Sequence, residues 1–496
     1  MVRHVISTET ERTSIRQFGK NKKNRRSLGC ARDDRQPYST MLFFIKDKIR
    51  SLVPRGLIAL YHRLLSLAAA FFYGFPSRRM VVFGVTGTKG KSTVCYLIAR
   101  ILEQAGRRVG MTTTPLMKVG PREWLNVSKI TMLGRFSLQR FLRRMDGERV
   151  ETAIVESSSE GLAQWRQAGI SYDVAVFTNL TPEHIESHGS WEKYMAAKGR
   201  LFAALHTRRP FRKKIRGKSV SKVAVANEDD PAASYFLSFP ADEYWTFGMN
   251  PTAKNPRPER HLQIQDLELS PEGSTFAIKG VRFSLHLLGR SNVMNAAAAI
   301  AAASSGGISL ETAAAALRAV YGIPGRFERI EEGQDFTVIV DYAHEPASFK
   351  QLYEAVAVLP KKRIIHVFGS TGGGRDRSRR PILGELAGRN ADIVIVTTDD
   401  PYDEDPAAIS AAVIAGARQA GKVLGENLLD ILDRREAIRA AVRLAEPGDL
   451  LLITGKGSEQ RMALARGRKI PWDDREVTRS AIHSGGATVE VIGKRV

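Results

Sequence analysis

The run GTKGKST, Gly87 to Thr93, combines two glycines, two lysines and three hydroxyl side chains between an apolar β-rich segment and a helical pattern. Glycines let a backbone curl until its N–H groups converge, and a helix N-terminus behind them adds partial positive charge. That is the chemistry of a phosphate cradle. In it Lys91 reaches the β- and γ-phosphates and Ser92 offers its hydroxyl to Mg²⁺. The spacing is shorter than the common GxxxxGK[ST] template. Three further stretches carry chemically able side chains. IVESSSEGLAQWR sets Glu156 at the end of an apolar run, and VFTNLTPEHIESHG sets Glu183 and His184 just past another. Singly each reads as a loop residue; together beside a phosphate loop, Glu and His read as ligands for a second divalent cation. In WEKYMAAKGRLF, Trp191, Tyr194, Met195, Lys198, Leu201 and Phe202 share one helical face. A bare ammonium on that face is costly, so Lys198 must snorkel, pair or be chemically altered.

The elements that position these residues follow a βα rhythm. MVVFGVTG, VETAIVESS, YDVAVFTNL and KVAVAN alternate with helical patterns, as in a parallel sheet covered on both faces. From His261 to Leu288 short alternating strands predict a small antiparallel patch with a Pro-Glu-Gly turn. NVMNAAAAIAAASS then predicts a helix ending at Gly306-Gly307. After YGIPGRFERI the rhythm restarts with FTVIVDY, RIIHVFG, ADIVIVTT and DLLLITG, a second, doubly wound domain. The division is therefore 1–40, a disordered basic tail; 41–79, an amphipathic helical extension; 80–322, a central phosphate-loop domain; and 323–496, a Rossmann-like C-terminal domain. The fold class is α/β.

The chain has 496 residues, a formal net charge of +23, 43% hydrophobic and 26% charged residues, and two cysteines, Cys30 and Cys95. That composition describes a soluble globular protein, and two cysteines make neither a disulfide framework nor a thiolate metal site. Much of the positive charge lies in the tail, in RSLVPRG and in His206–Lys222, which reads as a solvated loop. No basic stretch is interleaved with stacking aromatics, so nucleic acid is not expected as a partner. Residues 57–75 are apolar but interrupted by His62 and Arg63, too short an uninterrupted run to span a bilayer. Two readings stand: a helix docked on the protein's own surface, or an interfacial helix with its basic flank on anionic lipid.

At many separated points the sequence resembles the Mur ligase family, the ATP-dependent amide-bond-forming enzymes of peptidoglycan precursor synthesis, from about Met80 to the C-terminus. GTKGKST is similar to its GTNGK[ST]T loop, with Lys89 for the usual Asn. ESSSEGLAQWR, TNLTPEHIESHGSWEKYMAAKGRLF, NVMNAAAAIAA, GRFE, VDYAHEPASF, VFGSTGGGRDRSRRP, TTDDPYDEDP and TGKGSEQ continue the MurE-type series in order. The resemblance implies ATP and Mg²⁺, with Gly87, Thr88, Lys89, Gly90, Lys91, Ser92 and Thr93 on the phosphates and Ser92, Glu156, His184 and a carbamylated Lys198 at the metal. Asn292, Asn295, Arg326 and Asp341 correspond to further nucleotide contacts. Thr131, Ser159, Gln164 and Arg166 correspond to contacts with the muramyl peptide, and Arg375, Asp399, Asp400, Pro401, Tyr402, Gly455 and Glu459 to the site for an incoming diamino acid. Lys91, Glu156, His184 and Lys198 would carry the catalysis.

Three departures accompany the resemblance. Residues 41–79 are too short for the family's N-terminal uridine-binding domain, so no counterpart of it is expected in this sequence. The usual Thr-Thr substrate contact is reduced to Thr131-Met132, and the D-N-P-R motif reads Asp399-Asp400-Pro401-Tyr402. The function implied is addition of lysine or meso-diaminopimelate to UDP-N-acetylmuramoyl-L-alanyl-D-glutamate through an acyl phosphate. The protein is expected to be a cytoplasmic monomer, with a peripheral contact to the inner membrane face through residues 41–76. The competing readings are a folylpolyglutamate synthase-like ligase, a ligase for another muramyl or lipid-linked acceptor, and an inactive nucleotide-binding partner recruited to a membrane.

Overall fold

In the computed structural model the described residues are 55–128, 130–182, 188–205, 213–250 and 260–484. The chain divides into two compact units, Met1–Ile58 and Ala59–Val496, and of the first only the start of a helix, Arg55–Phe72, is described. The expected tail, 1–40, lies outside the described residues.

The second unit contains a nine-stranded sheet. Its order is His261–Gln263, Glu243–Gly248, Val223–Asn227, Val174–Phe177, Val81–Thr86, Thr152–Glu156, Val109–Thr112, Leu116–Val119, Arg122–Leu125. Seven strands run parallel, and the last two form an antiparallel edge. Alternation sends Phe83, Val85, Ile154 and Val176 into one core, where they meet the helix Lys91–Gln104 and the alanine-rich helix Arg290–Ser305. Val82, Val155 and Phe177 enter the other core, with Leu142, Leu201 and Phe202. Burial of both faces explains why these strands read as unbroken apolar runs. Pairing of Val85 with Glu156 and of Thr86 with Phe177 brings three strand ends to one level, just where the GTKGKST loop leaves the sheet.

Two expectations need correction. The antiparallel patch comprises Gln265–Ser270, Gly273–Ile278 and Val281–Leu285, but His261–Gln263 instead joins the large sheet in parallel beside Thr246–Gly248. Three residues are too few to carry a period that would reveal their partner. Within His206–Lys222, residues 206–212 lie outside the described residues, but Lys213 and Lys222 are not solvated. Their Nζ atoms reach the two carboxylate oxygens of fully buried Asp173 at 2.5 and 2.9 Å. Burial pushes the Lys213 ammonium down to about 8, against the pull of Asp173.

The second sheet has the order Glu328–Arg329, Thr337–Asp341, Leu450–Thr454, Ile364–Phe368, Ile393–Val396, Leu428–Asp430, parallel except at its first pair. Helices cover both faces: Leu383 and Val413 on one, Ile438 and Val477 on the other. Asp341 and Thr454 end neighbouring strands together, so this sheet also gathers loops at its carboxyl edge.

Candidate active site

The GTKGKST loop is held by donors aimed at its carbonyl oxygens. Lys198 Nζ donates to Gly87 O at 2.6 Å, and Lys91 Nζ curls back to Gly87 O and Thr88 O at 3.1 and 2.8 Å. Thr178 Oγ1 and Asn179 Nδ2 donate to Lys89 O at 2.7 and 3.2 Å. Asn179 also accepts from Thr88 N at its carbonyl and from Lys89 N at Oδ1, at 2.8 and 2.9 Å. Thr88 Oγ1 lies 3.0 Å from the Tyr194 hydroxyl. Gly90 is left-handed, with φ 79, and a Cβ there would lie 2.0 Å from Asn295 Oδ1. Asn295 Nδ2 in turn donates to Asn292 Oδ1 at 3.3 Å, so the alanine-rich helix presses directly on the loop. Ser92 and Thr93 open the helix behind it.

Buried Glu156 accepts from Ser92 Oγ at 2.9 Å and from Thr114 N at 2.7 Å. Thr114 Oγ1 lies 3.1 Å from Glu156 Oε1 and 3.0 Å from Thr131 Oγ1. Lys198 lies on the apolar face as predicted, only 2% exposed, with Nζ 4.5 Å from the Tyr194 ring centroid. Glu183 and His184 lie outside the described residues. Beside Glu156, Ser159 begins a short helix capped by Ser158 and lies 3.1 Å from His188 Nε2. Arg166 donates to Met132 O and, at 2.9 Å, to Gln164 Oε1.

Asp341 accepts from Phe327 N at 2.7 Å and from Ala343 N at 2.8 Å, and the Arg326 guanidinium lies 4.1 Å from the Tyr342 ring centroid. Next to them is a buried charge cluster. Lys456 Nζ contacts Glu459 Oε2 at 2.5 Å, Asp400 Oδ1 at 2.8 Å and Asp399 Oδ1 at 3.9 Å. Burial pushes the Asp399 carboxyl up to about 6, opposed by the Lys456 charge and assisted by Asp400. Gly455 lies so close to Asp399 that a Cβ there would be 2.6 Å from Oδ2. Tyr402 packs on Gly373, within the field of exposed Arg375.

One cavity of about 740 Å³ joins these groups. It is lined by the loop Gly87–Thr93, Thr131, Glu156, Ser159, Arg166, Lys198, Asn292, Asn295, Arg326, Asp341, Arg375, Asp399, Asp400, Tyr402, Gly455 and Glu459. Gln164 and Pro401 are not in the lining. Gln164 holds the Arg166 guanidinium, and Pro401 is buried behind Gly372.

Two family profiles match: the Mur ligase middle domain over residues 85–303 and the Mur ligase glutamate ligase domain over residues 325–457. The chain is 41% identical over 442 residues to UDP-N-acetylmuramyl-tripeptide synthetase of Roseiflexus sp. (strain RS-1), covering 87% of this chain and 83% of that protein. The chain belongs to the Mur ligase family. It is also 39% identical over 440 residues to UDP-N-acetylmuramoyl-L-alanyl-D-glutamate–2,6-diaminopimelate ligase of Geobacillus kaustophilus (strain HTA426), covering 88% and 85%. A solved 2,6-diaminopimelate ligase of the same name is 32% identical, with a TM-score of 0.54 and coverage of 82% and 79%. Mycobacterium tuberculosis folylpolyglutamate synthase shares the fold, at 19% identity and a TM-score of 0.61, covering 86% of this chain and 96% of that one.

Three side chains in or directly behind this Mur ligase cavity were not singled out in the sequence: Thr114 and Asn179 in its lining, and Lys456, buried behind Glu459. Thr114 touches Glu156 and Thr131, Asn179 brackets the loop, and Lys456 joins three carboxylates. Lys456 had a signal, since it lies between Gly455 and Glu459 in TGKGSEQ. Thr114 follows a strand only four residues long, too short to read as one. The loop geometry gives a direct test. Gly90→Ala must adopt left-handed φ and push on Asn295, so urea unfolding should show a loss of about 2 kcal/mol. Adding Asn295→Ala should restore part of it, and an unchanged midpoint in Gly90→Ala would refute the contact.

Proposed function

We propose that this chain is an ATP-dependent ligase of the MurE type, adding a diamino acid to the D-glutamyl end of a UDP-linked muramyl dipeptide in the cytoplasm, as a monomer. The observation supporting it most is the single cavity that joins a phosphate loop, the Ser159–Arg166 loop and an acid-rich pocket. In this reading 80–322 binds ATP, 323–496 holds the amine, and Gly87–Thr93, Asn292, Asn295, Arg326 and Asp341 contact the nucleotide. Thr131, Ser159 and Arg166 hold the acceptor, with Gln164 fixing Arg166. Arg375, Asp399, Asp400, Tyr402, Gly455 and Glu459 hold the incoming amino acid, with Pro401 shaping their loop.

The donor set near the loop fits Mg²⁺. The Glu156 carboxylate and the Ser92 hydroxyl, 2.9 Å apart, are hard oxygen donors that suit a cation keeping waters and phosphate oxygens. Glu156 and Ser92, with His184 and Lys198, would hold it, and when bound it neutralises charge on the phosphates. The acceptor carboxylate attacks the γ-phosphorus of ATP, the bond to the β–γ bridging oxygen breaks, and ADP leaves. Lys91 uncurls from the loop carbonyls to meet the charge building on the transferring phosphoryl group, with Lys89 beside it. The amine then attacks the acyl carbon, phosphate leaves, and a proton passes to solvent. Closing the cavity around both ends keeps water from the acyl phosphate.

Lys198 is read here as carbamylated. Its ammonium first gives up a proton to solvent; the free amine Nζ then adds to the carbon of CO₂ and loses a second proton, giving an anion suited to a metal site. Lys198→Ala should lower kcat about 100-fold or more, short carboxylates should partly restore it, and labelled bicarbonate should give a carbamate signal only in the parent protein. Full activity of the alanine variant would sink the assignment.

Tyr402 cannot offer the bidentate fork by which an arginine grips a second carboxylate. Initial rates with meso-diaminopimelate and lysine should therefore give kcat/KM values within about tenfold of each other. Strong diaminopimelate preference, abolished in Tyr402→Ala, would contradict this.

Asp399 titrates near 6 because burial disfavours its charge. Protonation below that point removes a negative charge from the amine pocket. As pH falls through about 6, kcat/KM for the amino acid should drop, approaching tenfold per unit, with that for ATP less affected. A flat amino-acid profile across that interval would remove Asp399 from the reading.

A second reading, a lipid-linked muramyl acceptor, is favoured by one contact. Arg63 of the apolar helix Arg55–Phe72 lies 5.2 Å from the ring centroid of Trp165, next to Arg166. Phosphate release with UDP-linked against lipid-linked dipeptide separates the two.

A further inference from the structure

The helix Arg55–Phe72 is built inside out. Ser66, Ala69 and Ala70 are buried, and the Cβ position of Gly169 lies 2.5 Å from Ala70 Cβ, so the helix rests on the protein through its smallest side chains. Half-buried His62 and Leu65 lie beside them, and the other large apolar side chains from Leu60 onward point away. Leu60, Tyr61, Leu64, Leu67, Phe71 and Phe72 are 50, 60, 56, 37, 77 and 74% exposed. They recur at three- and four-residue spacing, which makes one continuous stripe along the helix. A soluble surface helix normally has the opposite arrangement, and a contiguous apolar patch of this kind marks an interaction site.

The charge around the stripe selects the partner. The helix contains no acidic residue. The turn that follows it, Pro76–Arg79, exposes Arg78 and Arg79 and packs against the helix Arg135–Gly147. That second helix exposes Arg140, Arg143 and Arg144, and its one acidic residue, Asp146, pairs with both Arg79 and Arg143. Positive charge therefore exceeds negative charge beside an apolar, aromatic stripe. A second copy docked face to face would bring these arginines together. An anionic surface with an apolar interior satisfies both features. Among the described residues no helix is long and apolar enough to cross a bilayer, so the helix would lie in the interface plane.

We propose that the Leu60–Phe72 stripe is a docking surface for an anionic lipid bilayer, with the flanking arginines on the headgroups. This gives the membrane contact expected from the sequence a defined face. It does not depend on the proposed chemistry, because binding is read without ATP or substrates. Full-length protein is sedimented with vesicles of phosphatidylglycerol and phosphatidylethanolamine, and with vesicles of phosphatidylcholine alone. A Leu64→Gln/Phe71→Gln/Phe72→Gln variant is carried alongside. The expected result is binding to the anionic vesicles, weakened by salt, and a loss in the variant of about tenfold per side chain replaced. The circular dichroism spectrum and urea midpoint of the variant should match those of the parent, which shows that it is folded. Equal vesicle binding by parent and variant would overturn the proposal, because the basic N-terminal residues would then suffice. So would a parent dimer, seen by light scattering, that the variant dissolves. Absence of both binding and dimer would mean that the chain's own residues 1–54 cover the stripe, and would equally overturn it.

Discussion

A loop that is to hold an anion must turn its carbonyl oxygens away from it, and each of those oxygens then needs a donor. The carbonyls of Gly87, Thr88 and Lys89 are met by Lys198, Lys91, Thr178 and Asn179. These donors come from the loop itself, from the end of the strand Val174–Phe177 and from the helix Trp191–Ala203. A third element, the alanine-rich helix, touches the loop through Asn295 where Gly90 has no side chain. The parallel sheet makes this convergence possible, because its strand ends lie at one level. Displacing the end of the strand Val174–Phe177 would leave the Lys89 carbonyl without its Thr178 and Asn179 donors, whereas the contacts from the flexible Lys91 and Lys198 side chains can be exchanged.

The other end of the cavity obeys the inverse constraint. Asp399, Asp400 and Glu459 surround Lys456, while Arg434 behind them is bound at 2.8 and 2.7 Å to Asp474 and at 2.7 Å to Thr454 O. Buried charges persist only when paired and hydrogen-bonded. Arg434 is committed to Asp474, so Lys456 is left among three carboxylates. The excess is negative, the complement of an ammonium group, whereas the phosphate loop at the opposite end presents lysines and a helix N-terminus. In the proposed reading, a cavity polarised in this way orients a reaction between an anion and an amine before either reacts.

Features written in consecutive residues were legible in the sequence. GTKGKST between a strand and a helix, Glu156 at a strand end and the apolar face carrying Lys198 are local patterns, and each lies in the cavity lining. What depends on distant partners was not legible. Lys213 and Lys222 read as solvated charge because Asp173, which binds both, lies 40 and 49 residues earlier in the chain. Thr114 and the edge strands Leu116–Val119 and Arg122–Leu125 are too short to show a period, and Pro115 and the Gly120-Pro121 turn interrupt them. His261–Gln263 carried too little pattern to choose between two sheets.

The helix Arg55–Phe72 shows why amphipathicity alone cannot orient an element. Its sequence has one face of large apolar residues and one of mostly small residues, Ser66, Ala69 and Ala70, with His62 and Leu65, and hydropathy would send the larger face inward. Close approach decides otherwise. Gly169 leaves room only for Ala70, and the small face lets the helix backbone come near enough for His62 to accept from Arg135 at 2.5 Å. The same Arg135 group donates to Gln164 O at 3.1 Å, and Trp165, left-handed at φ 56, lies between Arg63 and Arg200. The helix is thus fixed to the Gln164–Arg166 loop by polar contacts and ring faces, which need specific geometry. Its large side chains, which need only an apolar surrounding, are left on the outside.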